Sequence, residues 1–231
     1  MSKMKSCAVI AAAGSGTRMG GVSKPNIKLL GKTLFEYVLE AINNSQIDEV
    51  VVVCSEDNKS SLTELSGICQ KEIKFVIGGA TRAQSVFNGV SASGDDVDVI
   101  CAHDCARPFI TSDIINETVN VASKFGASCV CAPVVDTLKY KNPETGEIST
   151  PNRDNMFSVQ TPQCFKKSLY LKAKDFAGEK LDSFTDETSL LENCGIEVKY
   201  LKYTQTNMKL TALDDVPIAE ILMKRRVITN D

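Results

Sequence analysis

The sequence predicts an α/β fold, a doubly wound and mostly parallel sheet from which one β-arm protrudes. Three observations predict it. Short apolar runs alternate with segments of helical spacing from Cys7 to Ala132. The runs lack polar alternation, as strands covered on both faces require. Turn residues then cluster between Lys139 and Asn155, where the alternation stops.

The elements follow in order. Cys7–Ala13 is an apolar run that ends at Gly14 and reads as the first strand. Thr33–Ile42 carries Leu34, Val38 and Ile42 at helical spacing. Val50–Cys54 and Lys74–Ile77 are the second and third strands, the latter closed by Gly78-Gly79. Thr81–Val90 returns to helical spacing through Val86 and Val90, and Val97–Ala102 is a fourth strand. Ser112–Phe125 reads as a helix with Thr111 or Ser112 as its N-cap, and Ala127–Ala132 as a fifth strand. Asn142-Pro143, Thr145-Gly146 and Pro151-Asn152 are turn signals, so residues 137–155 are expected to form an arm or hairpin. The segments Phe165–Phe176 and Asp186–Asn193, a strand at Ile196–Leu201 and a helix near Asp214–Arg225 complete a single domain of 231 residues.

Bulk composition narrows the function classes. A net charge of −3 argues against a nucleic-acid duplex as partner. No apolar run approaches the roughly 20 residues that cross a bilayer, so no membrane role is expected. The nine cysteines are odd in number, contain no CxxC pair and fall largely in apolar runs. They read as small buried hydrophobes in a reducing, cytoplasmic setting, and one histidine leaves little for zinc.

Parallel sheets bind ligands at the carboxyl ends of their strands. The residues just past each run are therefore the candidates. Ala11-Ala12-Ala13-Gly14-Ser15-Gly16-Thr17-Arg18 follows the first strand, with small residues whose backbone N–H groups can meet phosphate oxygens and an arginine to add charge. Gly14-x-Gly16 alone does not separate such a loop from a tight strand-to-helix turn. Met19 stands where a dinucleotide fingerprint needs its third glycine, and the Gly-Lys-Ser/Thr of a Walker loop is missing. Lys24 and Lys28 can offset charge on a triphosphate, or be solvated surface groups. Asp104, at the end of the fourth strand, can hold Mg²⁺ or pair with Arg107. His103 reads as structural, because a phosphate nucleophile needs no base. Thr185 and the acids after it suit a helix N-terminus.

In order, the motifs AAAGSGTRM, GGATRAQSV, HDCARPF, APVVDT, QTPQ, TDETSLLENCG and NMKLT resemble those of the methylerythritol phosphate cytidylyltransferases of the non-mevalonate isoprenoid pathway. The resemblance runs from about Val9 to Asp215. It implies a Rossmann-like nucleotidyltransferase that uses Mg²⁺ and joins CMP from CTP to a small polyol phosphate, releasing pyrophosphate. Ala11, Ala12, Ala13, Gly14, Ser15, Gly16, Gly79, Ala80 and Ser85 would then bind CTP. Arg18, Lys24, Asp104 and Lys209 would be catalytic, with Asp104 also meeting the metal. Arg107, Thr137, Arg153, Thr161, Thr185 and Lys209 would hold the polyol phosphate, Thr137 and Arg153 from the arm of the other subunit of a homodimer.

Three departures stand out. Pro25 occupies the position of the family's main phosphate lysine, so Lys24 is expected to take its role, with Lys28 as substitute. Ala80 replaces an acid after the glycine pair, and Val135 an arginine before the arm. The rival substrate is ribitol 5-phosphate; the rival from another class is a nucleotide-binding module without catalysis.

Overall fold

The computed structural model describes residues 4–14, 23–204 and 206–230. β1 (Ser6–Ala11) comes first, and a 3-10 turn at Lys24–Asn26 precedes a small hairpin of β2 (Lys28–Leu29) and β3 (Lys32–Thr33). Then follow α1 (Leu34–Asn43), β4 (Glu49–Cys54), α2 (Glu56–Leu65), β5 (Glu72–Ile77), α3 (Arg82–Ala92), β6 (Val99–Asp104), α4 (Ser112–Phe125) and β7 (Ala127–Pro133). The arm carries β8 (Tyr140–Lys141) and β9 (Ile148–Ser149). β10 (Phe157–Lys166), α5 (Lys167–Ala177), α6 (Glu187–Asn193), β11 (Lys199–Lys202) and α7 (Asp215–Asn230) close the chain.

Among the described residues, seven strands form one sheet in the order β11-β7-β10-β6-β1-β4-β5. The pairs β1–β4, β1–β6, β4–β5 and β7–β11 are parallel. β10 runs antiparallel between β6 and β7. Side chains of β1 alternate between two cores. Ala8 and Ile10 pack with α1, α2 and α4. Cys7 and Val9 pack with α3, α5 and α6. Every residue of β4, Glu49–Cys54, is buried, which explains why this strand reads as an unbroken valine run. Phe35 on α1 is fully buried, so Phe35→Ala should cost about 3–5 kcal/mol.

Helix starts are set by local side-chain bonds. Thr33 and Glu36 form a reciprocal capping box on α1, as Ser55 and Asn58 do on α2. Thr111, rather than Ser112, caps α4 by accepting from the Ile114 N–H. Asp186, not Thr185, caps α6 through the Ser189 N–H at 2.9 Å.

Besides the small β2–β3 hairpin, two elements were not expected from the sequence. α2 is mostly polar and buries only Asn58 and Leu62, so it carries little apolar periodicity. β10 contains Pro162 and an irregular register between Val159 and Gln163, both of which disguise a central strand. Phe165, the first residue of the segment Phe165–Phe176, is a buried residue of this strand.

Strands leave β1 in opposite directions across the sheet, β6 on one side and β4 on the other. Such a switch point opens a crevice at the carboxyl ends. Ala11 of β1 and Asp104 of β6 lie side by side in register there.

Candidate active site

A cleft of about 580 Å³ lies over this switch point. Among the described residues, Ala11, Ala12, Ala13 and Gly14 form one wall, and Gly79, Ala80 and Ser85 another. Lys24, Asp104, Lys209 and Arg82 also line it. The expected Ser15, Gly16 and Arg18 lie outside the described residues.

The walls are held by bonds that need no ligand. The Asn58 amide donates to the Ala12 carbonyl at 2.9 Å and to Ser23 Oγ at 3.2 Å. One buried side chain thus ties Ala12 to Ser23. Ser85, 7 % exposed, accepts from the Gly79 N–H at 3.1 Å and donates to the Thr81 carbonyl at 2.8 Å. The Ala80 N–H donates to Gln84 Oε1 at 3.1 Å. Gly78 is required by close approach, since a Cβ there would sit 2.6 Å from the Ala13 Cβ.

Lys24 and Lys28 separate clearly. Pro25 is buried as the second residue of the 3-10 turn that Lys24 opens, and Lys24 lines the cleft. The Lys24 ammonium donates to the Leu210 carbonyl at 3.5 Å, one residue from Lys209. Lys28 is exposed on β2 and does not line the cleft.

Asp104 is the centre of the charge cluster. Its Oδ1 accepts from Arg82 Nε at 3.2 Å and lies 3.1 Å from the terminal Arg82 nitrogen. Its Oδ2 accepts from Lys209 Nζ at 2.7 Å, and Arg107 Nε stands 4.0 Å away. Burial alone would raise the pKa of this carboxyl. Arg82 and then Lys209 outweigh burial and hold it well below the usual carboxylate range. The sequence left Asp104 as a Mg²⁺ ligand or a partner of Arg107, and here Arg82 and Lys209 are its nearest cations. Both oxygens already hold cations, and no group of three or more His, Cys, Asp or Glu residues gathers for a metal among the described residues. The donor set does not fit a metal held by the protein alone.

The expected polyol-phosphate residues divide. Thr161 is 3 % exposed, and its hydroxyl is engaged within the protein. It accepts from the Asp104 N–H at 3.1 Å and bonds His103 Nδ1 at 3.0 Å, which fixes the end of β6. His103 is 2 % exposed, and its Nε2 lies 3.2 Å from the Arg107 carbonyl. A carbonyl only accepts, so Nε2 carries the proton and Nδ1 accepts from Thr161. Burial pushes the His103 pKa down to about 4, so the ring is neutral at pH 7. Arg107 is mostly buried and donates to the Asn207 carbonyl at 2.9 Å. Its Nε has no hydrogen-bond partner among the described residues. Thr185 is exposed just before α6. Thr137 and Arg153 lie exposed on the arm, where Arg153 donates to the Val135 carbonyl at 2.8 Å, and neither lines this cleft.

Sequence reasoning missed Arg82, Glu187, Gln163 and Asn58 as site-building residues. Arg82 and Glu187 stand inside motifs already singled out, GGATRAQSV and TDETSLLENCG. The signal was a cation and an acid in separate motifs, with nothing in the sequence to pair them. Asn58 left no signal beyond a capping pattern.

Known proteins match this chain over nearly its whole length. The family model described as 2-C-methyl-D-erythritol 4-phosphate cytidylyltransferase matches residues 6–225. A protein of that name from Alkaliphilus oremlandii is 37% identical, over 96% of this chain and 96% of its own length. One from Clostridium botulinum is 35% identical, over 96% of this chain and 98% of its own. The crystal structure of 4-diphosphocytidyl-2C-methyl-D-erythritol synthase from Anaerococcus prevotii matches with a TM-score of 0.86 at 27% identity, covering 96% of each chain. That of the Thermus thermophilus cytidylyltransferase matches with a TM-score of 0.77 at 28% identity, covering 96% of this chain and all of its own. The chain belongs to the 2-C-methyl-D-erythritol 4-phosphate cytidylyltransferase family, which makes it a nucleotidyltransferase of isoprenoid biosynthesis.

Proposed function

We propose that this protein transfers the cytidylyl group of CTP to 2-C-methyl-D-erythritol 4-phosphate. The observation that carries the reading is the pair of lysines, Lys24 and Lys209, lining one cleft with a small-residue strand end and a glycine-rich turn. An oxygen of the polyol phosphate attacks the α-phosphorus, the bond to the β-phosphate breaks, and pyrophosphate leaves. The nucleophile is already an anion, so no side chain has to remove a proton. The task is to hold two anions together in line, which positioning and cation clamps accomplish.

In this reading Ala11–Gly14 with Ser15 and Gly16, and Gly79, Ala80 and Ser85, bind the nucleotide. Arg18, Lys24 and Lys209 neutralise charge as the pyrophosphate departs. Asp104 orients Lys209 and Arg82. Mg²⁺ arrives on the triphosphate as part of the substrate, because the described residues gather no set of three or more acids, cysteines or histidines to hold it. Arg107 and Thr185 serve the polyol phosphate. Residues 137–155 form an arm that reaches a second copy and supplies Thr137 and Arg153 to its site. Support for that dimer comes from the apolar surface on and beside the arm, where Val135 is 81% exposed and Ile148 65%. A cytoplasmic location fits the nine cysteines, none in a disulfide. Neither nucleic acid nor membrane is proposed as a partner; among the described residues no helix is long and apolar enough to cross a bilayer.

The test is steady-state pyrophosphate release with CTP and Mg²⁺ against methylerythritol phosphate and ribitol 5-phosphate. The reading expects a higher kcat/KM for methylerythritol phosphate. A preference for ribitol 5-phosphate, or CTP binding without turnover of either, would overturn it.

A further inference from the structure

The guanidinium of Arg82, the first residue of α3, is shared between two acids on different elements. One terminal nitrogen donates to Glu187 Oε1 at 2.8 Å and the other to Glu187 Oε2 at 3.1 Å, a fork-to-fork pair. The remaining edge reaches only Oδ1 of Asp104. Oδ2 of Asp104 is left for Lys209 at 2.7 Å. Glu187 is 3 % exposed and does not line the cleft. Its own backbone N–H donates to Gln163 Oε1 at 3.0 Å, which fixes it to β10.

From this geometry we infer that Glu187 is a positioning residue: by occupying the fork of Arg82 it keeps one oxygen of Asp104 for Lys209 and so aims Lys209 into the cleft. The physical reason is competition for a planar carboxylate. An arginine whose fork is free pairs with both carboxylate oxygens at once. With Glu187 gone, the two freed nitrogens of Arg82 can take Oδ1 and Oδ2 of Asp104 together. Lys209 then loses its anchor. Burial alone would lower the Arg82 pKa, but Glu187 and then Asp104 outweigh it and keep the guanidinium charged. The link joins α6, β10, α3 and β6 in one chain of bonds, so the two halves of the cleft are held in register by a pair whose acid is buried and does not line the cleft.

The inference rests on the proposed cytidylyl transfer for one readout and on chemistry alone for the other. Glu187→Gln keeps shape while removing the charge that holds the fork. In the activity assay kcat should fall on the order of 100-fold, as a misplacement near 1 Å does, with the KM for CTP changing by less than about threefold. Combining Glu187→Gln with Lys209→Ala should be no worse than Lys209→Ala alone, since Glu187 acts through that lysine. Multiplicative losses in the double variant would overturn the inference. Reductive methylation of the folded protein, read by mass spectrometry, supplies the second readout. Lys209 should label several-fold faster in Glu187→Gln than in wild type, relative to exposed Lys28. Unchanged labelling of Lys209 would also overturn the inference, whether or not the wild type turns over. Arg82→Lys keeps charge but has no fork with which to claim both oxygens of Asp104, so Lys209 should label as in wild type, and faster labelling of Lys209 there would overturn the inference. It decides the matter if Glu187→Gln fails to fold. Absence of wild-type turnover would sink the proposed function and leave the labelling result to decide this one.

Discussion

His103 offers a sharp test, because it is the chain's single histidine and sits under the charge cluster. Its neutral ring donates from Nε2 to the Arg107 carbonyl and accepts at Nδ1 from Thr161, whose oxygen in turn accepts from the Asp104 N–H. Protonation would make both ring nitrogens donors, and the Thr161 hydroxyl proton would lose its acceptor. The ring's pKa lies near 4 when folded, against an ordinary 6.5, because burial penalises the charged form. The unfolded chain therefore binds a proton that the folded chain refuses. Stability from the neutral ring is complete above pH 6.5 and is lost progressively as pH falls toward 4. At about 1.36 kcal/mol per pH unit, the full loss is about 3 kcal/mol, and about 2 kcal/mol of it falls between pH 6.5 and 5. Glu187 works in the opposite sense, since burial raises its pKa and folding then favours its protonated form as pH drops. Urea unfolding of tag-free wild type and His103→Gln from pH 7.5 to 5 cancels that contribution in the difference. The wild type should lose about 2 kcal/mol more than the variant. NMR of the lone ring should show a midpoint near 4. A ring that titrates near 6.5, with parallel stability profiles, would refute the burial argument.

Removing the Lys24 charge (Lys24→Ala) should lower kcat about 10²–10³-fold, while Lys28→Ala stays within about threefold; the reverse ranking in steady-state assays would reassign the phosphate clamp. Replacing Asn58 with Leu unties Ala12 from Ser23, and CTP affinity by calorimetry should weaken about tenfold for a loss near 1.4 kcal/mol. Gly78→Ala forces the two cleft loops apart and should cost about 1–3 kcal/mol in thermal unfolding, with CTP binding weakened as well. Mixed dimers of an Arg153→Ala chain and an Arg18→Ala chain should recover part of the activity that each homodimer lacks. No recovery would place Arg153 in its own subunit's site.

Much of the fold was legible because burial writes itself into composition. Glu49–Cys54 is covered on both faces and reads as an apolar run; α1 and α4 bury one stripe each and read as helices. Periodicity fails where an element buries little, as in α2, or where a proline interrupts it, as in β10. The site followed the same rule. Strand ends located Ala11–Gly14 and Asp104, and small residues flagged the approach of a ligand. Thr161 shows the limit, since nothing in its motif tells that its hydroxyl accepts from the Asp104 N–H and so braces the end of β6.

The sequence by itself determined the layered α/β architecture, the strand-end loops and the family, all of which rest on local pattern. Only the tertiary structure decided that Lys24 and not Lys28 reaches the cleft, and that Arg82 and Glu187 clasp each other across 105 residues to fix Asp104. Periodicity and propensity act within one element. Ion pairs form between elements, and their partners exist only once the sheet has brought α3, α6 and β6 together.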